Sequence, residues 1–346
     1  MSRTRNVLVT GAAGFIGSHF VEYFLSVDKN VRIWSYDKLT YAGTLDNLEP
    51  VQNNPRHTFV HGDICDPQKI ASLLRLHQID TIVHFAAESH VDNSIESPAI
   101  FFETNLLGTL NLLQQAKEYW LDEMHWSEEN CLFHHVSTDE VYGSLTVDEA
   151  AFTETTPYAP NSPYAASKAS SNHVVRAYNK TFGLPVTISN CSNNYGPRQH
   201  SEKLIPTTIR CCLQQKPIPV YGNGQNQRDW LYVTDHCMAI HAILQQGGVG
   251  EVYNIGGGYD VDNLTLIKAI CRVMDKRFPA HAPHENLIHF VTDRKGHDFR
   301  YAIDNTKINR DLSWSPETEP DIGLEKTVAS YMVEREIEKE IEKEIK

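Results

Sequence analysis

The stretch Ser137-Thr138-Asp139-Glu140-Val141-Tyr142-Gly143 sets hydroxyls and two carboxylates side by side, directly after the apolar run from Cys131 to Val136. Neighbours on an extended strand point to opposite faces, so Asp139 and Glu140 can address one substrate only where the chain has left the strand. The sequence therefore predicts a strand ending near Thr138 and a turn beyond it. Two adjacent acids in a cleft suit a reaction that needs a proton donor and a proton acceptor on neighbouring atoms, because differing surroundings drive their pKa values apart. A second reactive pair follows at Tyr164 and Lys168. With Pro163 starting a helix, the spacing of four brings both side chains to one face. A tyrosine of free pKa about 10 becomes a base near neutrality only when a cation stabilises its phenolate. Lys168 supplies one positive charge, and an oxidised nicotinamide would supply another.

These groups need elements that carry a cofactor to them. Arg5 to Thr10 (RNVLVT) reads as a β-branched strand, followed by Gly11-Ala12-Ala13-Gly14-Phe15-Ile16-Gly17 and a helical pattern from Ser18 to Leu25. Strand, glycine turn and helix form the dinucleotide-binding βα unit, in which the glycines permit a tight turn and close approach of backbone N–H groups to a pyrophosphate. The next strand, Val31 to Tyr36, leads to Asp37. A carboxylate there hydrogen-bonds a ribose 2′-hydroxyl and repels a 2′-phosphate, which favours NAD over NADP. Lys38 follows directly and weakens that exclusion. Further units read as a strand His57 to Gly62 ending at Asp63, a helix Pro67 to His77, a strand Thr81 to Ala86 and a helix Ala99 to Tyr119. Such alternation predicts an α/β, Rossmann-type, doubly wound parallel sheet with ligands at the carboxyl ends of its strands. Asp63, the segment Phe85-Ala86-Ala87-Glu88-Ser89, and Thr104 are accordingly candidates for lining the cofactor.

A last strand from Val186 to Asn190 runs into Cys191-Ser192-Asn193-Asn194-Tyr195-Gly196-Pro197, and regular alternation fades beyond it. We therefore expect an NAD-binding Rossmann domain over residues 1–190 that carries the catalytic residues. A smaller C-terminal substrate-binding domain follows over 191–330, some of whose segments return to the first. The charged tail 331–346, with Ile337, Ile341 and Ile345 spaced by four, is no coiled-coil heptad. The balance of 31 basic against 44 acidic side chains, a net −13, argues against nucleic acid or an anionic membrane as partner. Seven cysteines without a CxxC, no leader pattern and no long apolar run predict a reducing, cytoplasmic setting. Seventeen histidines show no metal-ligand spacing, so no metal is expected.

The combination GAAGFIG, STDEVYG and YAASK resembles the extended short-chain dehydrogenase/reductases. The additional motifs NNYGP (Asn193 to Pro197), EKLIP (Glu202 to Pro206), RDWLYV (Arg228 to Val233) and RKGHDFRYAID (Arg294 to Asp304) are similar to the branch that dehydrates nucleotide-bound glucose. The match runs from about residue 5 to 330. This resemblance implies that Phe15, Ile16, Leu39, Thr40, Ile64 and Asn194 also hold NAD. It also implies that Ser89, Thr138, Asn193, Lys203, Leu204, Pro219, Tyr221, Arg228, Asn263, Arg294 and His297 hold the nucleotide sugar. Relatives commonly carry GGAG at the glycine turn, proline at Ser201 and Lys295, and arginine at Phe299; none of these positions is catalytic.

The implied reaction converts dTDP-glucose to its 4-keto-6-deoxy derivative. Tyr164, assisted by Thr138, removes the 4-hydroxyl proton as hydride passes from C4 to NAD. Glu140 takes the C5 proton, Asp139 protonates the departing 6-hydroxyl, and hydride returns to C6. A nucleotide-sugar 4-epimerase or decarboxylase would share Tyr164 and Lys168 but has no use for the acid pair. UDP-glucose remains an alternative substrate, since the base pocket is not legible. A non-catalytic dinucleotide-binding regulator would have no need of the Tyr164–Lys168 pair. The resemblance implies a homodimer paired through the helices near Ala99 to Tyr119 and Tyr164 to Phe182.

Overall fold

In the computed structural model the described residues are 5–293 and 296–344, with side chains described as far as residue 332. Arg294 lies outside them, so its expected role has no structural counterpart here.

Strand β1 (Arg5–Thr10) is wholly buried from Val7 onward, and its alternate residues feed two different cores. Val7 and Val9 pack with Phe20 and Phe24 of helix α1 (Phe15–Val27); Leu8 packs on the other face with Ile70 and Leu74 of helix α2 (Pro67–Leu76). This period-two split is what a strand with helices on both faces requires. The remaining strands of that sheet are β2 (Val31–Asp37), β3 (His57–His61), β4 (Thr81–His84), β5 (Leu132–Thr138) and β6 (Val186–Cys191). Beyond them come β7 (Asn193–Tyr195), β8 (Ile218–Tyr221), β9 (Gln227–Tyr232), β10 (Val252–Ile255), β11 (Asp260–Asp262) and β12 (Ile288–Val291). The large sheet runs β10-β6-β5-β4-β1-β2-β3, with every pairing parallel. Its order reverses between β1 and β4, which opens a ligand crevice at their carboxyl ends.

Two small sheets, β11-β9-β7 and β12-β8, build a second body around its own apolar cluster, which includes Ile209, Trp230, Ile270 and Met274. The chain crosses back before completing it. Helix Val233–Gln246 packs Ile240 and Ile243 against the α1 side of the first core, and β10 joins the large sheet beside β6.

The helix expected over Ala99 to Tyr119 is interrupted. It is α-helical at Pro98–Phe101 and Thr109–Lys117, and π-helical at Phe102–Gly108 and Glu118–Glu123. The first wide turn leaves the carbonyl of Asn105 to accept from Thr109 Oγ1 at 2.5 Å and Ser171 Oγ at 2.6 Å, which offsets the lost helical bond. Strand β4 also stops two residues short of the expected Ala86, where Phe85 and Ala86 turn their N–H groups to the Thr10 carbonyl and hydroxyl. The tail is helical in backbone through Glu344, the last helix being Pro320–Glu344; its side chains from residue 333 lie outside the described residues.

Candidate active site

A cleft of about 280 Å³ opens at the carboxyl ends of β1, β4 and β5. One wall is the glycine turn. Gly11 has φ +67°, and a Cβ there would lie 2.6 Å from the Ala86 nitrogen, so the turn can approach the neighbouring strand end only as glycine. No side chain caps α1 at Gly14. Its first N–H groups, from Phe15, Ile16 and Gly17, stand at the cleft, which is the arrangement that receives a phosphate. Asp37 ends β2 with its carboxylate held by the N–H groups of Ala13 (2.9 Å) and Leu39 (2.8 Å), and Leu39 itself takes φ +55°. The carboxylate is thereby fixed beside the turn where a ribose would lie. Lys38 is drawn away from it to Asp63, 2.6 Å from Nζ to Oδ2. That pairing removes the cation whose freedom would have weakened the preference for NAD.

The opposite wall carries the reactive groups. β5 ends at Thr138, and a single 3₁₀ turn, Asp139–Tyr142, begins there with the Thr138 hydroxyl accepting the Glu140 N–H. Leaving the strand at this point brings both acids to the cleft. Asp139 is 1% exposed; burial, then the neighbouring carboxylates of Glu140 and Asp229, push its pKa well above the usual range. Its Oδ1 accepts from Thr138, whereas Oδ2 has no hydrogen-bond partner among the described residues. Ser137 Oγ and Asn193 Oδ1 are likewise buried and unpartnered there, and both residues line the cleft. Buried polar atoms are rarely left unmade, so a polyhydroxylated ligand fits these groups.

Helix Pro163–Phe182 starts as expected, with Ser162 accepting the Ala165 N–H. It turns Tyr164 and Lys168 inward to the same cleft. Burial, followed by Glu140, raises the Tyr164 phenol well above its ordinary range, and a hydrogen bond with Thr138 pulls the other way. Burial lowers the Lys168 ammonium to about 8, while its Nζ donates to the Val136 carbonyl at 2.8 Å. Alone, then, the protein keeps the phenol protonated. A phenolate needs additional positive charge, which an oxidised nicotinamide would supply.

Of the remaining candidates, Phe85, Ala87 and Ser89 line the cleft after β4, and Asn193, Asn194 and Lys203 close its far side. Lys203 Nζ donates to the Ser89 carbonyl at 3.1 Å, joining the two lips. Gly11, Ala86, Asp37, Lys38, Leu39, Thr40, Asp63, Ile64, Thr104 and Leu204 are not among the residues that line the cleft. Pro219 and Tyr221 on β8, Asn263 at a helix start and His297, bonded to Asp293 at 2.7 Å, are not brought to the lining. Arg228 is not among the lining residues either. Its guanidinium donates to the carbonyls of Gln227, Asp298 and Phe299 and lies 4.3 Å over the Tyr301 ring.

Sequence reasoning missed Asn105. Its side chain accepts from Glu88 N, donates to Glu88 O and donates to Ser167 Oγ, tying the loop after β4 to the helix of Tyr164. A polar residue buried in mid-helix was the available signal. Ser192, Gln199, His200 and Glu202 also line the cleft; they lay inside or beside quoted motifs without a spacing that marked them. Among the described residues no group of three or more His, Cys, Asp or Glu stands ready to hold a metal.

Comparison with known proteins places this geometry. The sequence model of the GDP-mannose 4,6 dehydratase family matches residues 8–327. The dTDP-glucose 4,6-dehydratase of Xanthomonas campestris pv. campestris is 49% identical over 330 residues, covering 95% of this chain and 93% of that protein. The crystal structure of dTDP-glucose 4,6-dehydratase from Streptomyces venezuelae with NAD bound superposes with a TM-score of 0.87 at 45% identity, covering 95% and 98%. The UDP-glucose 4-epimerase of Thermotoga maritima shares the fold at a TM-score of 0.82 but only 27% identity, covering 94% and 98%. With nearly half its residues shared with such enzymes along almost its whole length, the chain belongs to the dTDP-glucose 4,6-dehydratases of the GDP-mannose 4,6 dehydratase family.

Proposed function

We propose that the protein is an NAD-dependent hydro-lyase that converts dTDP-glucose to dTDP-4-keto-6-deoxyglucose. The observation that carries this reading is the convergence of Tyr164, Asp139 and Glu140 on one cleft beside a glycine turn. The open N–H groups of α1 and the anchored carboxylate of Asp37 suit a dinucleotide diphosphate and its ribose. When bound, NAD supplies the oxidising equivalent by taking hydride from C4 of the hexose and returning it to C6.

The side chains handle the protons. Tyr164 takes the proton of the 4-hydroxyl, with Thr138 orienting that hydroxyl and Lys168 favouring the phenolate. The resulting ketone acidifies C5–H. Glu140 accepts that proton, and Asp139, kept neutral by burial, donates its own to the 6-hydroxyl, which leaves as water. A proton then returns to C5, so one water is lost in all. An epimerase needs no such donor in this position, and the 49% identity to the Xanthomonas enzyme against 27% to the epimerase favours the same choice.

The remaining assignments belong to the same reading. The first body holds the cofactor, and Asn193 and Lys203 reach over from the second toward the nucleotide sugar. Two chains pair through the stretch 98–123 and helix Pro163–Phe182, where Ile100, Leu107, Leu110 and Phe182 are exposed. Seven cysteines, none of them in a disulfide, fit a reducing cytoplasm, and no helix among the described residues is long and apolar enough to cross a membrane. Mass spectrometry of the product formed from dTDP-glucose in heavy water tests the reaction. The expected product has lost one water and gained deuterium at C5; an epimer of unchanged mass would sink the proposal.

A further inference from the structure

The loop that leaves β7 carries a residue to which the reaction scheme gives no role. Arg198 has φ +64°, a left-handed conformation that is strained for a non-glycine residue. Something must hold it there. Its side chain is only 17% exposed and crosses to the cofactor body, where Nη1 donates to the Asn47 carbonyl at 2.8 Å and Nη2 to Glu22 Oε2 at 2.7 Å. Glu22 stands on α1, the helix that opens from the glycine turn. Asn47 in turn donates from Nδ2 to the Ala13 carbonyl at 2.8 Å, inside the turn itself. On its own side, Arg198 adjoins Gln199, whose Nε2 donates to the Asn194 carbonyl at 2.9 Å; Gln199 and Asn194 both line the cleft. An unbroken path of hydrogen bonds and covalent chain therefore joins the two lips of the cleft, and the Arg198–Glu22 ion pair is a charged link between the bodies along this path.

We propose that Arg198 is a positioning residue that braces the loop Asn193–Lys203 against the glycine turn. The brace fixes the separation of the lips, so that the dinucleotide stays bound between turnovers and the hexose meets it in one pose. Only a forked, planar donor can hold acceptors on two elements at once, which explains an arginine in this strained position. The inference rests on the dinucleotide reading of the preceding section.

The test compares the purified holoenzyme with Arg198→Ala, Arg198→Lys and Glu22→Gln, following dinucleotide retained after gel filtration, kcat, KM and melting temperature. Arg198→Ala, which removes both of its hydrogen bonds, should release dinucleotide about tenfold faster and lower kcat about tenfold, with KM changed by no more than about twofold. Arg198→Lys should recover part of both, and Glu22→Gln, which keeps the Asn47 bond, should lose about threefold. An Arg198→Ala protein that melts earlier yet keeps its dinucleotide and its kcat would show a merely structural tie and overturn the proposal. Should that variant not fold, Glu22→Gln decides, because its carboxylate is half exposed and its loss leaves the core intact; unchanged retention there overturns the proposal equally. Wild-type protein that takes up no NAD at all would instead fell the cofactor reading and carry the brace with it.

Discussion

The two ends of the cleft are built on different plans. At the proposed cofactor end the main chain offers the binding groups: a glycine turn, the open N–H groups of α1, and a carboxylate held in place by two backbone amides. At the proposed hexose end side chains offer them, and Asp139, Tyr164 and Lys168 are each buried with a displaced pKa. A backbone site depends on shape and fails when a Cβ is added; a side-chain site depends on charge and fails when a proton is misplaced. Substitutions at the two ends should therefore fail in different ways.

The largest effect belongs to the hexose end. Tyr164→Phe should lower kcat by about 10³-fold or more and abolish the absorbance of reduced nicotinamide on mixing with substrate. A surviving signal would place the base elsewhere. Glu140→Gln and Asp139→Asn should each lower product formation by about 10²- to 10³-fold while that signal persists, because they act after C4 is oxidised. Loss of the signal in either would collapse the distinction between the two proton-handling stages.

Titration sharpens the same contrast. Lys168 is an ammonium below about pH 8 and neutral above it, so kcat/KM should decline above that pH, by about tenfold per unit at most. Its folded pKa lies below the unfolded value, hence the unfolded chain binds the extra proton between about 8 and the ordinary lysine value of 10.5, and this group alone makes stability rise with pH across that window. Lys168→Met should erase the decline. Asp139, raised by burial, is a donor at neutral pH and loses that role only as pH climbs through its elevated pKa, so Asp139→Asn should be equally impaired at every pH below it.

At the cofactor end the signature is structural. Gly11→Ala places a methyl against Ala86 in a left-handed residue, and should cost about 1–3 kcal/mol. Calorimetry should show a lower melting temperature together with lost dinucleotide, where the hexose-end variants keep both. The smallest effect is expected for Asp63→Asn. The Lys38–Asp63 pair is well exposed and contributes within about 1 kcal/mol, so stability should barely move while NADP becomes a few-fold better accepted through the freed lysine. Unchanged preference would mean that Asp37 alone excludes the 2′-phosphate.

The cofactor end was the more legible of the two. The positions of Gly11 to Gly17 and Asp37 follow from local rules, since a turn, a helix start and a strand end are each set by residues close in sequence. Tyr164 and Lys168 were legible for the same reason, sharing one helix face. Thr138 to Glu140 could be placed because the polar residues mark where the strand must stop. Asn105 and Arg198 could not, since each acts on partners 17 to more than 150 residues away that no spacing rule connects. The pairing of Lys38 with Asp63 bridges the ends of two strands and was hidden likewise. Arg228 was named from its motif, and folding surrounds its guanidinium with carbonyls and a tyrosine ring, contacts that no spacing rule connects.

By itself the sequence determined the parallel, doubly wound sheet and the chemical kinds of group at its strand ends, because periodicity, glycine turns and helix starts are local properties of a chain. Only the tertiary structure decided which of those groups are buried, and so which acid holds its proton more tightly and which lysine gives one up more readily. Burial and charge–charge distances arise from segments far apart in the chain, and a carboxylate has the same formula whether it lies in water or beneath a helix.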